Sequence, residues 1–148
     1  MRRSLSLLFV ALLTVATFGQ GGPAADVPAF HSAPPKAGEQ LPSILPKEQL
    51  WGPSFKYPVQ VHAYELAAKI PKVLYQQPCY CHCDRSVGHT SLHSCFESTH
   101  AAHCDACMKE LYYSYQMTKQ HKTPAQIRQG IIKGEWEKVN LDTAATIQ

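Results

Sequence analysis

Six cysteines and five histidines crowd into the 29 residues from Cys79 to Cys107. The thiols are Cys79, Cys81, Cys83, Cys95, Cys104 and Cys107, and the chain has no others. The imidazoles are His82, His89, His93, His100 and His103. Thiolate and imidazole are the donors that hold copper(I), zinc and iron–sulfur centres. Thiols also join to one another as disulfides. Either chemistry ties distant backbone together, so this window constrains the fold more than any hydrophobic pattern does.

The segments before it read differently. Arg2 and Arg3 precede a mostly apolar run from Leu5 to Phe18, followed by Gly19, Gly21 and Gly22. This is the pattern of a secretory signal peptide over residues 1–19. The run falls short of the roughly 20 apolar residues that a membrane span needs, so no stable span is expected after cleavage. The paired arginines also fit the twin-arginine route. The implied location is extracytoplasmic, periplasmic or secreted. Without Arg2 and Arg3, 12 basic residues face 11 acidic ones. That near-neutral, scattered balance gives no footprint for nucleic acid.

Eight of the 11 prolines lie between Pro23 and Pro58. Residues 20–58 therefore read as a proline-rich, largely irregular linker, mobile as far as residue 45. Leu45, Leu50, Trp51 and Phe55 are short apolar pieces able to strap onto a domain. The domain itself is expected over residues 59–148, mainly α, with about three helices around a Cys/His-rich irregular loop. Val59, Ala63, Leu66, Ala67 and Ile70 follow helical spacing until Pro71 stops it. Lys72 to Pro78 reads as extended, and residues 79–98 as irregular with one helical turn around His89 to Phe96. A second helix is expected from Ser98 or Thr99 to about Lys119. The third starts at Thr123, where Pro124 and Gln126 complete a capping box, and buries Ile127, Ile131 and Ile132. A domain of about 80 residues is small enough to need a staple.

Alternate cysteines in an extended Cys79-Tyr-Cys81-His-Cys83 point to opposite faces, so the backbone must turn before all three reach one centre. A disulfide between such neighbours is strained. On a continuous helix, His100, His103, Cys104 and Cys107 occupy positions i, i+3, i+4 and i+7 of one face, which Leu111 and Tyr115 prolong. His89 and His93 would be i, i+4 neighbours, the spacing of a two-histidine clamp, but Thr90 replaces the glutamate of a metalloprotease helix. Met108 excludes haem attachment through a Cys-x-x-Cys-His string, and no glycine-rich phosphate loop or carboxylate pair is present.

Pro78-Cys79-Tyr80-Cys81-His82-Cys83, then Gly88-His89, Ser91-Leu92, Cys95-Phe96 and Cys104-x-x-Cys107, resembles the bacterial PCYCGC family of exported proteins of unknown function, also called CYCXC proteins. The resemblance covers roughly Ala63 to Val139. It implies an extracytoplasmic location and a function vested in the cysteines. Some members are selenoproteins, which implies redox or soft-metal chemistry. The chain departs from the motif at His82, where the family has glycine, and it lacks the lipoprotein cysteine of many members.

Three readings fit the window. The first is a soft-metal site handling copper(I) or, second, zinc. Its thiolates are Cys79, Cys81, Cys83, Cys104 and Cys107, with Cys95, His89, His93 or His103 completing it. Its partners would be the ion and another exported metal-handling or redox protein. The second is a thiol–disulfide redox protein using Cys104 and Cys107 near a helix start. The third is a disulfide-stapled interaction module.

Overall fold

The computed structural model describes residues 26–148. The expected signal peptide, and residues 20–25 of the proline-rich segment, lie outside the described residues. Among the described residues the chain is helical and contains no strand.

Three helices carry the domain: α1 (Pro58–Ala67), α4 (Asp105–Lys119) and α5 (Pro124–Ile132). Between and after them come single turns α2 (Pro71–Leu74), α3 (Cys83–Ser86) and α6 (Leu141–Ala144). Four 3-10 segments complete the order, over Lys47–Gln49, Leu92–Phe96, Thr99–His103 and Glu135–Lys138. The central helix is α4, which packs against α1, α5 and α6. The core between them is built from Leu66, Leu74, Leu92, Phe96, Leu111 and Tyr112, with Cys95 and Cys107 buried in the same cluster.

Local chemistry explains the helix ends. Thr123 Oγ1 accepts from the Gln126 amide at 3.3 Å, and Gln126 Oε1 accepts from the Thr123 amide at 2.9 Å. This is the expected capping box, and Ile127 and Ile131 are buried behind it while Ile132 is only partly so. Gly134 comes next with φ 74°, a left-handed conformation that glycine adopts without a Cβ penalty. Gly130 serves a different purpose. A Cβ there would lie 1.8 Å from the Tyr113 hydroxyl, so only glycine lets α5 close on α4.

Pro71 does end the first helical pattern, yet it also opens α2, because its fixed φ suits a first helical position. The expected extended path from Lys72 to Pro78 is therefore corrected: its first half is helical. Gln76 and Gln77 then bond back to Lys72 O and Val73 O, both at 3.0 Å.

Residues 26–46 form no helix or strand, as the density of prolines there would dictate. They lie along the domain. Ile44 and Leu50 reach its core, and the Leu45 amide donates to Phe96 O at 2.8 Å. Farther upstream, His31 stacks on Tyr75 at 3.7 Å and the Ala29 amide donates to Asp84 at 3.0 Å. No helix of the described residues is long and apolar enough to cross a membrane.

Candidate metal centre

The thiol loop turns at His82. Its backbone is left-handed, with φ 54° and ψ 32°, and its amide donates to Cys79 O at 3.1 Å. That reversal defeats the alternation of an extended strand and brings Cys79, Cys81 and Cys83 to one side. A left-handed residue without a side chain is the cheapest solution there, which gives the glycine of the PCYCGC string a physical reason. Histidine is among the few other residues enriched in this conformation. The His82 ring packs edge-on against Tyr80 and joins none of the donor groups.

The remaining donors come from three further elements and from the loop at His89. Cys95 projects from the 3-10 turn Leu92–Phe96 and stands 3.4 Å from Cys83 Sγ. His89 Nδ1 lies 3.2 Å from Cys83 Sγ and 3.4 Å from Cys95 Sγ. Cys107, on the first turn of α4, reaches Cys79 at 3.4 Å and Cys81 at 3.7 Å. His100 Nε2 is 3.9 Å from Cys81 Sγ, and its ring meets that of His89 with centroids 4.8 Å apart.

These contacts define three quartets whose ligand atoms all lie within 4.8 Å of one another. They are Cys79, Cys81, Cys83 and Cys95; Cys81, His100, Cys104 and Cys107; and Cys83, His89, Cys95 and His100. A tetrahedral centre with metal–sulfur bonds of about 2.3 Å holds its sulfurs about 3.8 Å apart. The sulfur contacts Cys83–Cys95, Cys79–Cys107 and Cys81–Cys107, at 3.4, 3.4 and 3.7 Å, fall just inside that value. All six cysteines are free, and their spacings far exceed the disulfide bond length of about 2.05 Å. A metal ion thus fits among them.

The expected single helix from Ser98 to Lys119 is divided. Ser98 does cap, accepting from the His100 amide at 3.3 Å, but Thr99–His103 is a 3-10 turn. Cys104 is then extended, with φ −134° and ψ 106°, and serves as N-cap of α4. Helix α1 imposes this break. Tyr64 donates from its hydroxyl to Ser98 O at 2.6 Å and accepts from the Ala102 amide at 3.2 Å. Gln60 Nε2 donates to Ala102 O at 2.8 Å. The break changes which histidine faces the thiols. His100 points to Cys81, whereas His103 is exposed and bonds Ser54 Oγ at 2.9 Å.

His89 and His93 likewise do not share a helix. Gly88 is left-handed and Ser91 extended, so the 3-10 turn begins only at Leu92. His89 joins the thiols. His93 is 2% exposed and pairs through Nδ1 with Glu97 at 2.9 Å. The expected i, i+4 clamp is corrected on this geometry. Of the residues named from the sequence as ligands, all six cysteines and His89 converge, while His93 and His103 point elsewhere. His100 takes the place expected of His103, because a continuous helical period cannot reveal the break between them.

Electrostatics divide the thiols. Hydrogen bonds from Cys104, Cys107 and Cys79 hold Cys81 below the usual thiol range. Those of Cys79 and Cys95 lower Cys83 in the same way. Cys79 is pushed up, because it keeps a proton shared with Cys107 and Cys81. Beneath them Glu110 is fully buried, and burial pushes its carboxyl up to about 8. Glu110 Oε1 accepts from the Tyr80 amide at 2.7 Å, and Oε2 has no partner.

The arrangement defines a class: a small helical domain built around a cluster of free thiols and imidazoles that can hold a metal. Within that class, the chain belongs to the family described as proteins of unknown function with a PCYCGC motif, whose model matches residues 37–138. The match begins within the proline-rich segment, well before the resembling stretch that starts near Ala63. No curated protein and no solved structure matches the chain.

Proposed function

We propose that this is an exported soft-metal-binding protein that sequesters copper(I), or secondarily zinc, and hands it on. The observation that carries the reading is the convergence of six free thiols and two imidazoles at separations near those of a thiolate-ligated ion. Copper(I) comes first because a sulfur-rich, largely buried set suits soft monovalent ions. Export is supported by Arg2, Arg3 and the apolar run after them. Zinc would be accommodated by any of the quartets.

Exchange with a partner needs an open edge. Cys81, His100 and Cys104 are half-exposed, whereas Cys79, Cys83, Cys95 and Cys107 are buried. A donor protein could place its own thiolate against Cys81 or Cys104 and pass the ion by ligand exchange. A thiol–disulfide role is the second reading, supported by the Cys83–Cys95 and Cys79–Cys107 approaches of 3.4 Å.

Reduced chain handled without oxygen is incubated with copper(I) or zinc, desalted, and assayed for metal and free thiols. Retained metal that masks the thiols supports the reading. No retained metal, with three stable disulfides forming in air, overturns it in favour of a stapled module. No metal and a dithiol pair that cycles with mild reductant transfers the site to redox chemistry.

A further inference from the structure

We infer that the eight donors take copper(I) as one polynuclear cluster joined through bridging thiolate sulfurs, not as separate single ions. The inference rests on the metal-binding reading of the site and concerns how many ions it takes and what links them.

The three quartets are not independent. The first and second share Cys81, the first and third share Cys83 and Cys95, and the second and third share His100. No two of them are disjoint. Two complete four-donor centres therefore cannot coexist without a common ligand. A thiolate that binds one ion keeps lone pairs for another, so Cys81, Cys83 and Cys95 can each serve two centres. His100 Nε2, 3.9 Å from Cys81 Sγ, has a single lone pair and serves one ion only. Chemistry thus assigns the sharing to sulfur, with the Cys79–Cys83–Cys95 centre in the middle, His89 closing one end and Cys104 with Cys107 the other.

Charge supports the same count. Six thiolates would carry six negative charges, and Cys79, Cys83, Cys95 and Cys107 are at most 3% exposed. Among the described residues, the hydrogen-bond partners of the sulfurs are other thiols and the His89 and His100 rings, not a lysine or arginine. One ion would leave thiolate charge buried without compensation, or leave most thiols protonated and unused. Several monovalent ions sharing sulfurs offset more of that charge while keeping every donor engaged. Each copper enters and remains as copper(I). An S–H bond breaks for each thiol recruited, its proton passes to buffer, copper–sulfur bonds form, and no electron is transferred.

The reduced chain is titrated anaerobically with copper(I) against a chromophoric copper(I) chelator. Native mass spectrometry counts ions per chain, and X-ray absorption reports whether copper has copper as a near neighbour. The inference expects two or more ions per chain with a copper–copper neighbour, and loss of at least one ion and of that neighbour in Cys81→Ser. His103→Ala should change neither. One ion per chain overturns the inference and leaves the metal-binding reading intact. Two or more ions without a copper–copper neighbour also overturn it, as separate sites. No bound ion overturns both. If Cys81→Ser does not fold by circular dichroism, the wild-type count and neighbour decide alone.

Discussion

Glu110 on α4 accepts a hydrogen bond from the Tyr80 backbone amide at 2.7 Å, fastening the thiol loop to the central helix. Because burial raises its carboxyl from 4.5 to about 8, the folded chain binds a proton there that the unfolded chain gives up. The resulting stability is fully present below 4.5 and is lost as pH rises toward about 8. The difference in urea-denaturation stability between the reduced, metal-free chain and its Glu110→Gln variant, which keeps an acceptor for Tyr80, should show this decline. Glu110→Ala should cost about 1–3 kcal/mol, because the buried amide loses its partner.

The left-handed backbone at His82 predicts an asymmetric response to substitution. His82→Gly relieves a cost of about 1–2 kcal/mol, partly offset by glycine's entropy in the unfolded chain. Stability should stay level or rise slightly, with copper uptake unchanged. His82→Val places a β-branched residue in that conformation and should lower both. Denaturation midpoints and metal content check the pair.

His100→Ala and His103→Ala should part company. Removing His100 deletes a donor 3.9 Å from Cys81 and should weaken copper(I) retention by at least about ten-fold. Removing His103 costs only an exposed contact with Ser54 and should leave retention unchanged. Competition against a copper(I) chelator measures both.

Gly130→Ala drives a methyl group into Tyr113, whose hydroxyl would be 1.8 Å away. The expected destabilisation is about 1–3 kcal/mol, the usual cost of overpacking. Tyr113→Phe in the same chain should recover part of it, since the nearest clashing atom is the hydroxyl. Metal stoichiometry should not change, because neither residue belongs to a donor group. Thermal denaturation with metal analysis tests both statements.

Tyr64→Phe should loosen the turn that presents His100. Its hydroxyl satisfies both Ser98 O and the Ala102 amide, and loss of two such bonds should cost about 1–3 kcal/mol. Copper(I) retention should fall in parallel, which a mere core defect remote from the cluster, such as Gly130→Ala, would not produce.

What could be read from the sequence was whatever local chemistry decides. Thr123, Pro124 and Gln126 announce the start of α5 because a capping box closes within four residues. The apolar spacing from Val59 announces α1, and the density of thiols announces the site. Helical period failed where another element overrules it. Tyr64 and Gln60 hold the backbone from Ser98 to Ala102, so the turn tightens and the helix restarts after Cys104. By spacing His93 is equivalent to His89, yet Glu97 draws it away from the thiols, while His89 remains outside the helical turn and meets Cys83.

The sequence by itself determined the six thiols, α1, α5 and the turn-forming loop, since residue type and short-range spacing are enough for each. Tertiary structure alone decided which donors meet. The left-handed turn at His82, the α1 clamp on the Thr99–His103 turn and the Glu110–Tyr80 bond bring four elements to one point. Convergence of that kind depends on contacts between residues 30 to 42 positions apart, which no local pattern encodes.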